Sequence, residues 1–212
     1  MTVVGCPASD RLTLRAYAGG GIAVSAFDYV MTLAAVVIGL ALTHLMQGVG
    51  RILEDPKGAK IWWVHLLWVA HTGLLSVFWW WFEFGLRRTP VWTFQLYAFV
   101  LGYAFLIYLI CTILFPHDLG PERDFRHYFL ARRRLFFGLL ITLLAVDVVD
   151  TLSKGMAHFA SLGLEYPVSQ AALILLCVGG MVSRRERVQA VIVVVAFGYL
   201  VLRVTRFFDV AI

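Results

Sequence analysis

Charge is scarce in this chain, and most of it lies outside the long apolar runs. Of 212 residues, 15% are charged and 61% hydrophobic, where a soluble domain is about a quarter charged and about half apolar. Lysine is missing from every apolar run, which removes a retinal-type Schiff base, since that chemistry needs a lysine within the bundle. The three cysteines, Cys6, Cys111 and Cys177, are odd in number and far apart. They form neither a disulfide framework nor a metal-ligand spacing, and Cys111 and Cys177, inside apolar runs, read as small apolar residues. Signatures of catalysis and of gated pores are absent too. Gly19-Gly20-Gly21 is not followed by the Lys-Ser/Thr of a phosphate loop. There is no His-Glu-x-x-His, no Gly-x-Ser-x-Gly, no ladder of arginines within a run and no Thr-Val-Gly-Tyr-Gly filter. These absences point away from an enzyme. Residues 1–26 hold Arg11, Arg15 and a triple glycine but no continuous apolar core, so they read as a flexible leader rather than a signal peptide.

What remains is a series of mostly apolar runs, most of them near the 20 or so residues that cross a hydrocarbon core of about 30 Å as a helix, with the fifth near the short limit. They lie at 27–49, 61–84, 91–115, 135–152, 168–182 and 188–204, with the longest loop at 116–134. The implied fold is all-α: a polytopic transmembrane helix bundle of about six spans, forming a single domain over 27–212. Lipid offers the backbone no hydrogen-bond partners, which leaves closed helices as the solution for such runs. Trp62-Trp63 and Trp79-Trp80-Trp81 bracket the second run. Trp62 and Trp80 are about 27 Å apart along a helix, and tryptophan prefers the two membrane interfaces.

The net charge of +5 reads as topological rather than as a nucleic-acid footprint, because the arginines sit at the ends of the runs. The face carrying Arg51, Lys57, Lys60, the long loop and Arg184, Arg185 and Arg187 is the richer, which puts both termini outside the cytoplasm. The pattern resembles a small bacterial inner-membrane protein, whose partners are anionic lipid headgroups and either further copies of itself or a partner subunit. The long loop reads as an interfacial connector. An amphipathic helix on the membrane, or a headgroup-phosphate clamp at Arg126 and Arg132–Arg134, are its alternatives.

Polar side chains inside apolar runs are costly and therefore informative. His65, Thr72, Ser76 and Glu83 fall within about 40° on a helical wheel, a polar stripe that reads either as one wall of a pathway or as glue between helices. Asp147, Asp150 and Thr151 share a face of the fourth run, with Lys154 placed to pair with Asp150. Arg203 and Arg206 lie near the end of the sixth. If the spans alternate in direction, Glu83, Asp147, Asp150, Arg203 and Arg206 meet at one membrane face, where Asp147 or Asp150 pairs with Arg203 as a gate, a relay or a structural ion pair. Ala35, Gly39 and Thr43 form a small-residue ridge for close helix packing. His44 with His65 or His71 invites a b-type haem held between the first two spans, while no protein-bound metal site is indicated. The functional reading is a small channel or transporter subunit. A haem-binding redox subunit and a non-catalytic scaffold are its alternatives.

Overall fold

The computed structural model describes residues 26–55, 58–88, 92–116, 123–153 and 155–208; the leader and Lys154 lie outside them. Seven α-helices are present among the described residues: α1 (Ala26–Glu54), α2 (Trp63–Phe82), α3 (Phe94–Leu114), α4 (Phe125–Ser153), the short α5 (Met156–Ser161), α6 (Glu165–Val182) and α7 (Glu186–Phe208). A 3₁₀ turn, Glu83–Arg88, continues α2. Two-residue strands β1 (Ala59–Lys60) and β2 (Arg123–Asp124) pair in parallel. The architecture is an all-α bundle with helices of membrane-crossing length.

Five of these helices are long and apolar enough to cross a membrane: α1, α3, α4, α6 and α7. The difference from six lies in α2. It has 20 residues, about 30 Å of helix, and no charged side chain, but five tryptophans and two histidines dilute its apolar character. The strand pairing joins the loop after α1 to the loop after α3. The ends of α1 and α3 therefore share a face, and α2 has to carry the chain back between them. Leu40, Leu53, Leu109, Leu175, Val182 and Val191 stand outward and exposed, an apolar surface that water would not tolerate over this extent.

The largest revision concerns the segment 116–134. Helix α4 begins at Phe125, ten residues before the expected fourth span, so only 115–124 connects α3 to α4. Asp124 supplies the reason: its Oδ1 accepts from the backbone N–H of His127 at 2.9 Å, a side-chain cap on the first turn. The arginines that follow are good helix formers, so the helix projects past the apolar run instead of stopping there. Arg126 meets Glu186 at 2.6 Å and ties the start of α4 to the start of α7. Between α4 and α6 the chain reverses at Gly155 (φ 109°) and Gly163 (φ 63°), conformations that glycine adopts without steric cost.

Helix α2 is the hub, packed against α1, α3, α4 and α7, while α4 and α6 form a second close pair. Trp68, Phe136 and Phe137 interlock edge-to-face at 5.0–5.5 Å and are fully buried. Gly180 lets α6 approach α4, because a Cβ there would overlap the Phe137 ring. Gly48 does the same for α1 against Phe115. The expected ridge at Ala35, Gly39 and Thr43 is not the packed face of α1: Gly39 is exposed, with nothing within 4 Å of the position a Cβ would take. Ala34, Ala41, Leu45 and Gly48 face inward instead.

Candidate functional site

The alternating helices bring the end of α2, the end of α4 and the end of α7 to one face, together with the starts of α3 and α6. A cavity of about 600 Å³ opens among them. Helix α2 lines it with Trp68, His71, Leu75, Trp79 and Phe82, spaced three or four residues apart along one face. Glu83 follows at its end. Helix α4 contributes Leu140, Asp147, Asp150 and Thr151 from successive turns, α3 contributes Tyr103, α6 contributes Tyr166, Gln170 and Cys177, and α7 contributes Tyr199 and Arg203. The exposed residues Trp81, Gly85 and Leu162 also line it, so it reaches the molecular surface.

Asp147 gathers hydrogen bonds from α3 and α6. Tyr166 Oη donates to its Oδ2 at 2.8 Å, and Tyr103 Oη lies 3.3 Å from its Oδ1. The side-chain amide of Gln170 donates to the same Oδ2. Thr151 meets Tyr166 Oη at 2.9 Å and extends the chain of bonds. All these donors are neutral. They orient the carboxylate and stabilise its charge by hydrogen bonding, without cancelling it.

The expected ion pair to Arg203 does not form among the described residues. Arg203 holds its guanidinium 5.9 Å from the centre of the Phe82 ring and reaches Tyr199 Oη at 3.4 Å. Arg203 thus shares the cavity with the acids while its charge rests on an aromatic face and a hydroxyl. Arg206 departs further: it points out of the cluster and pairs with Glu165 at 2.5 Å, with both side chains more than half exposed. Glu83 and Asp150 are buried at 2% and 4% exposure, and both line the cavity.

The polar stripe on α2 divides. Only Glu83 reaches the cavity. Thr72 Oγ1 donates to Trp68 O at 2.9 Å and Ser76 Oγ to Thr72 O at 2.7 Å, so both hydroxyls satisfy carbonyls of their own helix, a common resort of hydroxyls in apolar surroundings. Ser76 also lies 3.7 Å from Cys111 Sγ. His65 belongs to a different device. The last carbonyls of a helix have no partners within it, and at the end of α3 four in a row are met from other helices. Tyr128 donates to Ile113 O (2.8 Å), His65 Nε2 to Leu114 O (2.8 Å), His44 Nε2 to Phe115 O (2.9 Å) and Arg51 to Pro116 O (3.4 Å).

This arrangement bears on the histidine pair read from sequence. His44 and His65 each donate Nε2–H to a carbonyl at the end of α3, which leaves Nδ1 as the nitrogen of each ring that carries a lone pair. His71 is elsewhere, in the cavity wall beside Trp68, with ring centres 5.3 Å apart. Among the described residues, no group of three or more His, Cys, Asp or Glu is placed to hold a metal ion.

No known protein family, curated protein or solved structure matches the chain. The reading of the cavity therefore rests on its own geometry.

Sequence reasoning missed several members of the site. Tyr103 and Gln170 lie in expected spans, Tyr166 lies between Glu165 and Pro167 just before one, and none carries a motif. A single glutamine or tyrosine inside an apolar run was nonetheless a usable signal, since each demands a partner once buried. Gln189, fully buried, is the same kind of residue: its amide donates to Gly180 O and Ser183 O, each at 2.8 Å, and closes the end of α6.

Proposed function

We propose that this chain is a small membrane transporter or channel subunit, embedded in the cell membrane as a multi-pass protein of the bacterial inner-membrane type, and that the cavity at its charged face is the substrate site. One observation carries the reading: side chains from α2, α3, α4, α6 and α7 converge on a single cavity of about 600 Å³ that holds three carboxylates at one end of the bundle. Ionisable groups inside a membrane protein mark solute and proton paths more often than surface charges do. A bundle of this size forms a pathway most readily with others, so a homo-oligomer or a partner subunit belongs to the proposal, as does contact of anionic headgroups with the exposed Arg132 and Arg134, Arg133 being buried between them.

The test is flux in proteoliposomes. Purified protein should support movement of protons or small cations, and Asp147→Asn should change that flux by about ten-fold or more, the scale of one lost charge contact in a confined site. No flux from the parent protein, or the same flux from the variant, contradicts the proposal.

A scaffold role is the second reading, favoured by the polar groups already committed to backbone carbonyls: His44, His65, Thr72 and Ser76. It accounts for those four residues. It leaves the acid-lined cavity without a purpose.

A further inference from the structure

Among the described residues, the ionisable side chains of the cavity stand toward its mouth, and its inner end is aromatic. Asp147 lies ten residues beyond Phe137 on α4, about 15 Å along the helix. Glu83 lies twelve beyond His71 on α2, about 18 Å, and Arg203 six beyond Phe197 on α7, about 9 Å. The inner end is formed by Trp68 and His71, whose ring centres are 5.3 Å apart, edge to face. Phe136 and Phe137 close on Trp68 at 5.0 and 5.5 Å, and Phe197 on His71 at 6.5 Å. Leu140, Cys177 and Ala196 continue the wall toward the mouth. Recognition at this depth works by shape and hydrogen bonding, whatever balances the charges at the mouth. The volume, about 600 Å³, is in the range of pockets that enclose a drug-sized molecule.

Two polar atoms at the inner end lack a partner. Trp68 is 1% exposed and His71 9%, and the indole Nε1 of the one and Nδ1 of the other have no hydrogen bond among the described residues. Buried polar atoms are nearly always matched, and an unmatched one in apolar surroundings is costly. The indole nitrogen only donates, whereas the imidazole nitrogen accepts or donates according to its tautomer. A hydroxyl suits both. It accepts from Trp68 and, with a proton and a second lone pair to offer, serves His71 in either tautomer. An ammonium brings no acceptor for the indole, and a hydrocarbon brings neither donor nor acceptor.

We propose that the inner half of the cavity binds a neutral, lipid-soluble alcohol, its hydroxyl between Trp68 and His71 and its apolar body along α2 and α4 toward the mouth. This names the solute of the transport reading and rests on the same cavity. The carboxylates nearer the mouth then serve a coupled proton or cation rather than the solute.

Scintillation proximity with the full-length protein in a neutral detergent tests it. The probe is tritiated 2-(2-naphthyl)ethanol, with 2-ethylnaphthalene and 2-(2-naphthyl)ethylammonium as competitors of the same shape, all at concentrations corrected for uptake by micelles. The alcohol should bind about ten-fold or more tightly than either competitor. Trp68→Phe and His71→Phe keep a ring in place and remove the polar atom, and each should bring the alcohol down to the affinity of the hydrocarbon. Where one variant fails to give a monodisperse protein, the other decides; where both fail, the ranking of the three probes on the parent protein decides. A hydrocarbon as tight as the alcohol overturns the proposal, because the polar pair then recognises nothing. An ammonium as tight as the alcohol overturns it too, since the charged mouth then governs the site. Binding of none of the probes also overturns it and leaves the pair to ordered water. The two readings fail separately: alcohol binding without flux in proteoliposomes keeps the site and removes transport, while proton or cation flux without alcohol binding does the reverse.

Discussion

Asp147 shows how a carboxylate is kept in an apolar bundle. Among the described residues it takes no cation partner and gathers two phenols and an amide instead. Tyr166 is the pivot, since the same hydroxyl donates to Asp147 and meets Thr151. Tyr166→Phe should lower the unfolding free energy in micelles by about 1 kcal/mol, typical of a polar contact between membrane helices; an unchanged denaturation curve in dodecyl sulfate titration speaks against the network. His65 is a stronger case. It is fully buried, stacks on Phe125 at 5.0 Å and holds Leu114 O. His65→Ala leaves both a void and an unmatched carbonyl, for a cost of about 2–4 kcal/mol. His44→Ala, at a half-buried site, should cost visibly less when the two are compared by thermal unfolding. Equal costs contradict this ranking of the two histidines. The apolar runs and the convergence of Glu83, Asp147 and Asp150 could be read in the chain because helical spacing and alternating direction fix which ends meet. The donors to Asp147 could not, because no periodicity tells which polar residue of a neighbouring helix turns toward it.

Helix contacts here depend on where the chain has no side chain. Gly180 and Gly48 each face an aromatic ring that a methyl group would overlap. The ridge of Ala35, Gly39 and Thr43 has the same spacing and contacts nothing comparable, so small-residue spacing marks a possible seam without saying which face is used. Gly180→Ala should destabilise the α4–α6 pair by about 1–3 kcal/mol, as overpacking does. Phe137→Leu should restore part of that loss in the double variant, a coupling readable in a double-mutant cycle. Strict additivity would mean that the glycine does not serve the Phe137 ring. Helix ends were the least legible feature. The apolar run at 135–152 marks what lipid covers, whereas the helix starts at Phe125 because Asp124 caps it and arginine sustains it. The signal was local, an aspartate three residues before the N–H it accepts, and it was masked by the charge of the segment around it.

For the molecule as a whole, the asymmetry between its two faces is the feature to explain. One face collects the loop strands, the capped end of α3 and most of the basic residues. The other opens into the cavity with its acids. A scaffold needs no such opening; a carrier of cations does. The most direct measurement is thiol labelling of Leu144→Cys, in the cavity wall, in a background lacking the native cysteines. Methanethiosulfonates of opposite charge are applied to reconstituted protein, with Leu109→Cys on the outer apolar surface as the reference. The account predicts that Leu144→Cys reacts from one side of the membrane only, and about ten-fold faster with the cationic reagent than with the anionic one. Labelling no faster than at Leu109→Cys, or a preference for the anionic reagent, would contradict a water-accessible, cation-selective cavity.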